Sequence, residues 1–144
     1  MAVEPDFWEV SWHFDGEEFE ALRSMATEVT FKAEEVIFKT GEPADCMFLV
    51  LDGYAVAAIP DPNTGEQRAV SIIAEGQSFG ELGLLMKQRR TGTVTAGTDL
   101  KALKVTLETL KGLEEGHSWT AALVYKKLAR TLAEQLVLRD AADR

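Results

Sequence analysis

Between Phe79 and Val94 the chain reads Phe-Gly-Glu-Leu-Gly-Leu-Leu-Met-Lys-Gln-Arg-Arg-Thr-Gly-Thr-Val, and its charged residues fall at spacings that suit the binding of an anion. Gly80 frees the backbone ahead of Glu81. The apolar run of Leu82, Leu84, Leu85 and Met86 predicts a short helix, and Lys87 and Gln88 predict a polar turn after it. Arg89 and Arg90 then return ahead of a Thr/Val-rich strand start. A helix N-terminus attracts anions through its unpaired donors and its dipole. A guanidinium adds a planar, always-charged fork that suits phosphate oxygens. A carboxylate beside such a site needs a different task, and accepting from sugar hydroxyls is the usual one. Phosphate, ribose hydroxyl and an apolar wall together describe a nucleotide. Taken alone, Glu81 reads as a carboxylate stabilising a helix dipole, Arg90 as a surface ion-pair partner, Thr91 as an ordinary strand residue and Gly83 as a packing glycine. The combination of Glu81 and Arg90 in this stretch argues for a ligand.

The elements that must position these residues follow from hydrophobic periodicity. Phe7, Trp8, Val10, Trp12 and Phe14 make residues 1–13 and their junction an aromatic extension, which either docks on its own domain or offers a surface to a partner or second copy. Asp15 to Ala26 predicts a helix with Phe19, Leu22 and Met25 on one face and acids crowding its start. From Thr27 the period changes to two, with Val29 and Phe31 alternating against Glu28, Thr30 and Lys32. Glu35 to Phe38 is a second short strand, closed by Gly41-Glu42-Pro43. Cys46 to Leu51 is nearly continuously apolar, as expected of a strand buried on both sides. Tyr54 to Ile59 and Gln67 to Ile73 are strands joined by the hairpin loop Pro60 to Glu66. Gly92 to Ala96 and Leu100 to Val105 follow the anion-binding stretch. Thr106 is a plausible N-cap for a short helix carrying Leu107, Leu110 and Leu113, ended by Gly116. Ser118 then caps a helix over 118–144, running to about Ala142, with a stripe of Val124, Leu128, Leu132 and Leu136 and with Leu123 and Leu138 alongside. The expected fold is mainly β with flanking helices: a β-roll, or jelly-roll barrel, of about eight strands with an N-terminal helix and C-terminal lid helices.

The stretch from Phe79 resembles the phosphate-binding cassette of the cyclic nucleotide-binding domain family. Phe79, Gly80, Glu81, Leu82, Gly83, Leu84, Leu85, Arg90, Thr91 and Val94 match that pattern, and the spacing from Glu to Arg fits. Arg89 stands where many members carry Pro, and the basic pair before Thr is similar to cassettes of cyclic-nucleotide-gated channels. The resemblance implies that Arg90 pairs with the exocyclic phosphate oxygens, helped by the backbone N–H groups of Gly83 and Thr91. It implies that Glu81 and the Gly80 N–H hold the ribose 2′-hydroxyl, and it leads us to assign Val70, Ile72 and Leu82 to an apolar wall near the base. In similar channel domains an Arg on the last helix caps the base, and a one-gap alignment places Arg130 there. The implied function is that of a sensor of a cyclic mononucleotide, cAMP or cGMP, that signals to a regulated protein partner by moving its C-terminal helix. Thr91, directly after the Arg, is similar to cassettes of cGMP-dependent kinases, but channel members that prefer cAMP share it, and the lean is to cAMP as the more widespread ligand. A rival reading keeps the fold and removes the ligand: a dimerisation or docking module, with the last helix as a homodimer contact.

Composition bounds the alternatives. The 144 residues suit one domain, 1–144, with one core, and 46% hydrophobic content argues against disorder. No apolar run approaches the ~20 residues that span a bilayer, and no basic-then-apolar signal opens the chain, so the expected location is the cytoplasm. A net charge of −9 argues against nucleic-acid binding. The single Cys46 excludes an internal disulfide and reads as inert packing within its apolar run. Two histidines, His13 and His117, lie near opposite ends and cannot build the clustered site of a metal-binding cupin. There is no Gly-x-Ser-x-Gly elbow, and Gly76-x-x-x-Gly80 lacks the ending of a phosphate-binding P-loop. No catalysis, resident cofactor or metal is expected, and no helix-turn-helix, channel segment or kinase signature follows the last helix.

Overall fold

A computed structural model describes residues 8–9, 14 and 16–142 of the chain. Among them are nine strands and four helices: β1 (Trp8–Glu9), α1 (Gly16–Met25), β2 (Thr27–Phe31), β3 (Val36–Phe38), β4 (Cys46–Asp52), β5 (Ala55–Pro60), β6 (Gln67–Ile73), β7 (Ser78–Phe79), α2 (Glu81–Met86), β8 (Thr93–Ala96), β9 (Leu100–Thr106), α3 (Leu107–Gly116) and α4 (Ser118–Ala142). One sheet runs β1-β6-β5-β8-β3 and the other β2-β9-β4-β7. All pairings are antiparallel except β1 with β6. This is the expected β-roll with flanking helices. The strands read from period and turn residues fall within a residue or so of their observed bounds. Two short ones escaped the sequence: β7, and the parallel pairing of Trp8 with Ser71. That pairing docks part of the aromatic extension on its own chain. Phe14 is buried, while Phe7, Val10, Trp12 and His13 lie outside the described residues.

The apolar run of β4 is buried on both faces because its sheet is sandwiched. Met47 and Leu49 point into a core with Leu103 and Val105 of β9 and with Leu22, Leu110, Leu113, Val124 and Leu128 from the helices. The alternate residues Cys46, Phe48 and Val50 point into the roll, against Phe38, Phe79, Val94 and Ala102. The period-two side-chain geometry of a strand sorts one continuous sequence into two cores. The Thr106 side chain accepts from the Thr109 N–H at the start of α3, the expected cap, and the Thr109 hydroxyl accepts the Thr106 N–H in return. Lys127 reaches the largely buried Glu18 at 2.9 Å and ties α4 to α1.

The α4 stripe splits along its length. Ala121, Val124, Leu128 and Thr131 are buried, but Leu132 is half-buried and Leu136 and Val137 are 62% and 66% exposed. The side chains of Leu138 and Arg139 lie outside the described residues. Among the described residues, no helix is long and apolar enough to cross a membrane.

Candidate functional site

The stretch singled out in the sequence forms one wall of a cleft of about 690 Å³, partly open to solvent. Gly80 sits at φ +83°, a left-handed conformation that turns the chain from β7 into the six-residue helix α2. Lys87 adopts φ +53° at the other end, and its N–H donates to the Gly83 carbonyl. The chain then comes back against the turn after β3. The Arg90 N–H donates to the Glu42 carbonyl, and the Arg90 carbonyl accepts from the Gly41 N–H, both at 2.8 Å. Arg89 adds a bond from Nη1 to the Gly41 carbonyl. These bonds clamp the backbone of Arg90 and aim its side chain under α2.

Arg90 is only 7% exposed. Its guanidinium plane lies on the Phe38 ring, with Cζ 3.9 Å from the ring centroid. Nη1 donates to the Gly80 carbonyl at 3.2 Å and Nη2 to the Cys46 sulfur at 3.5 Å. Nε is buried without any partner. A buried cation ordinarily has a carboxylate within contact, yet the bonding partners of Arg90 are a carbonyl, a thiol and a ring face. Gly83 is required by this packing, because a Cβ there would stand 2.6 Å from both Arg90 Nη1 and the Ala44 Cβ.

Glu81 is 3% exposed and accepts a 2.6 Å bond from the Ser78 hydroxyl. Burial pushes its carboxyl above the ordinary range, against the pull of that bond, of its own backbone N–H and of the Arg90 charge. Site residues Gly80, Glu81, Leu82, Gly83, Arg90 and Thr91 all line the cleft, as does Val70 on the opposite strand. The Gly83 N–H donates to the Gly80 carbonyl at 3.1 Å, so in this state it closes the helix turn and does not face the cleft as expected.

Two assigned residues are not brought to the cleft. Ile72 was assigned with Val70 to the apolar wall, but β6 carries a bulge. Ala57 pairs with Ser71 and Ala58 with Ala69, which leaves Val70 as the extra residue. Beyond the bulge the facing reverses, and Ser71 and Ile73 line the cleft in place of Ile72. Arg130 is exposed and lies away from the lining, whereas Gln135, one further turn along α4, is part of it. Sequence reasoning assigned neither Ser71 nor Gln135 to the site, although Gln135 stands with Arg130 and Arg139 among the polar positions beside the α4 stripe. Each had a faint signal: a hydroxyl within an apolar strand, and an amide in phase with the buried face of α4. The Ser71 hydroxyl is buried without a partner and, with Arg90 Nε, is one of two orphaned polar groups on the cleft wall. Anion, hydroxyl and apolar surface can all be accommodated in this one space. Among the described residues no group of His, Cys, Asp and Glu could hold a metal ion.

Comparison with known proteins converges on the same region. The chain is 35% identical over 89 residues to the cAMP-dependent protein kinase regulatory subunit of Dictyostelium discoideum, covering 62% of this chain and 27% of that protein. It is 29% identical over 125 residues to glutaminase 1 of Bradyrhizobium diazoefficiens, covering 87% of this chain and 19% of that protein. The chain thus spans well under a third of either relative. Among solved structures it superposes on the catabolite activator protein of Thermus thermophilus with a TM-score of 0.74 at 24% identity, over 88% of this chain and 59% of the other, which shows a shared fold. A cyclic nucleotide-binding domain from Methylobacillus flagellatus gives 0.77 at 21% identity, over 91% and 72%. The sequence model described as "Cyclic nucleotide-binding domain" matches residues 28–117, more than half of the chain, from Glu28 in β2 through the end of α3. With the roll, the cassette and this match in agreement, the chain belongs to the cyclic nucleotide-binding domain family.

Proposed function

We propose that this domain binds a cyclic mononucleotide in the cleft between α2 and β6, with cAMP as the preferred ligand, and that it acts as a sensor. The observation that carries this reading is Arg90: a clamped, buried guanidinium with an orphaned Nε and no carboxylate among its bonding partners. A phosphate in the cleft would supply the missing counter-charge. Glu81, buried beside it and restrained by Ser78, is suited to accept from a ribose 2′-hydroxyl together with the Gly80 N–H. Val70, Leu82 and Ile73 offer the apolar surface for a base. The names of two relatives support cAMP: the Dictyostelium kinase subunit is cAMP-dependent, and a Mycobacterium tuberculosis relative 26% identical over 118 residues is a cAMP-activated transcriptional regulator. The domain's role is regulatory and not catalytic. α4 is the element that reports occupancy, since Gln135 reaches the cleft from it. A ligand shifts α4 only by its differential affinity for the two positions.

The test is calorimetric titration with cAMP and cGMP. Loss of a buried charge-assisted pair costs about 2–5 kcal/mol, so Arg90→Ala is expected to weaken binding by tenfold or far more. The melting temperature of the free protein should change little, because the guanidinium offsets little of its own burial. Equal affinity in variant and wild type would remove Arg90 from the site. The exposed Leu136 and Val137 favour a second reading, in which α4 meets a second copy and no nucleotide is bound. Sedimentation of a dimer together with flat titrations would select it.

A further inference from the structure

We propose that Cys46 is a positioning residue for the phosphate-recognising guanidinium, a role that rests on the reading of Arg90 given above. Its neighbours make a plain packing role insufficient. Cys46 is 6% exposed, and its sulfur receives the Arg90 Nη2 donor at 3.5 Å. Its own backbone is fixed in the ladder opposite Thr106, within the aromatic-rich interior of the roll. Arg90 is therefore pinned at both ends: its main chain on the turn at Gly41 and Glu42, and its fork between the Gly80 carbonyl, the Cys46 sulfur and the Phe38 ring.

The choice of acceptor matters. A thiol sulfur is a weak acceptor. It fixes where Nη2 points while offsetting little of the positive charge. A carboxylate at this position would neutralise the guanidinium and compete with a phosphate. An aliphatic side chain would leave Nη2 as orphaned as Nε, and the fork held only by the Gly80 carbonyl and the Phe38 ring. The thiol lies between these limits, holding the fork in one orientation and leaving its charge available. Ordering a long side chain in advance removes part of the entropic penalty of binding.

The experiment compares Cys46→Val, which keeps the volume and removes the acceptor, with Cys46→Ser, which restores an acceptor. Cyclic AMP affinity is measured by calorimetry, and the Arg90 Nε–H resonance is followed in ¹⁵N-labelled protein without nucleotide. A weak acceptor falls within the ordinary range of a net hydrogen bond, so Cys46→Val is expected to weaken cAMP binding by about three- to tenfold and Cys46→Ser by less than about twofold. The free-protein Arg90 resonance should shift or broaden in Cys46→Val and return toward its wild-type position in Cys46→Ser. Equal affinity in Cys46→Val and wild type would overturn the proposal, as would equal losses in the two variants, because restoring an acceptor would then have restored nothing. An Arg90 resonance unmoved by Cys46→Val would also overturn it. Because that resonance is read without nucleotide, the two failures separate: wild-type protein that binds no cAMP sinks the functional reading and not the placement of the fork.

Discussion

The two faces of the β2-β9-β4-β7 sheet are built from the same strands and solve opposite problems. On the helix face, Met47, Leu49, Leu103, Val105, Leu110 and Leu113 are at most 1% exposed and form an apolar core with α1 and α4. On the roll face, the aromatic group of Phe38, Phe48 and Phe79 borders a cleft whose wall holds a buried cation and, nearby, a buried carboxylate and an unpartnered hydroxyl. The first face gains free energy from every group it buries. The second buries polar groups at a cost and leaves some of them unsatisfied. Such groups persist where something other than the protein completes them. Stability thus resides mainly on one face and recognition on the other, although adjacent residues in β4 serve both.

The sharpest separation comes from truncating the helix face. Leu110 is 1% exposed at the junction of α3 with the sheet. Leu110→Ala should cost about 2–5 kcal/mol through lost burial and the cavity left behind. Thermal denaturation should show a fall on the order of 10 °C. Nucleotide affinity of the folded protein, measured well below that midpoint, should stay within about twofold of wild type, since Leu110 does not line the cleft. A large loss of affinity without loss of stability would show that the faces are not separable.

Glu81 should move stability and binding in opposite directions. Burial raises its carboxyl pKa above the ordinary value, so the folded state holds the proton more tightly than the unfolded one. The contribution to stability is full below the unfolded pKa and is lost as pH rises through the folded value. As pH rises above the ordinary carboxylate range, the folded state's resistance to ionising Glu81 therefore costs the free protein stability. Glu81→Gln should raise the melting temperature at pH 7, and the advantage over wild type should shrink on acidification below the ordinary carboxylate range. The same change should weaken cAMP binding by about tenfold, the worth of a hydrogen bond to a charged group, and narrow the preference over 2′-deoxy-cAMP. A variant less stable than wild type at pH 7 would mean that the carboxylate is satisfied in the free protein.

The elements that place the site were largely legible, because period and turn chemistry are local. Val29 and Phe31 announced a strand, Thr106 a cap, and Cys46 to Leu51 a strand covered on both sides. The cassette was legible as well, since Gly80, Glu81, Gly83 and Arg90 are close in sequence and each has a distinctive type. The far wall was not. Its facing depends on a bulge at Val70, a backbone irregularity that leaves no mark in side-chain type. The role of Cys46 was hidden for a different reason: its partner lies 44 residues away. The two-residue β7 and the pairing of Trp8 with Ser71 depend on strands brought alongside by the tertiary fold.

Helix phase decides the remaining difference, and it gives the smallest expected effect. The stripe Val124, Leu128, Leu132 and Leu136 advances in steps of four, and at about 100° per residue each step drifts by about 40°. By Leu136 the stripe has turned about 120° from Val124, which matches its exposure. Thr131 and Gln135 lie within about 20° of Val124, while Arg130 lies about 120° away on the other side. The face that packs on the roll therefore runs Ala121, Val124, Leu128, Thr131, Gln135, and becomes polar as it reaches the cleft. If α4 covers a bound base, Gln135 is the residue that meets it. Gln135→Ala should weaken cAMP binding by about two- to tenfold, the range of a neutral hydrogen bond, and Arg130→Ala should leave it unchanged. Hydrogen exchange across 124–137 should slow with saturating cAMP in wild type and slow less in Gln135→Ala, because an ordered segment opens less often. The reverse result, a loss in Arg130→Ala and none in Gln135→Ala, would mean that α4 rotates on binding and presents a different face from the one it buries in the free protein.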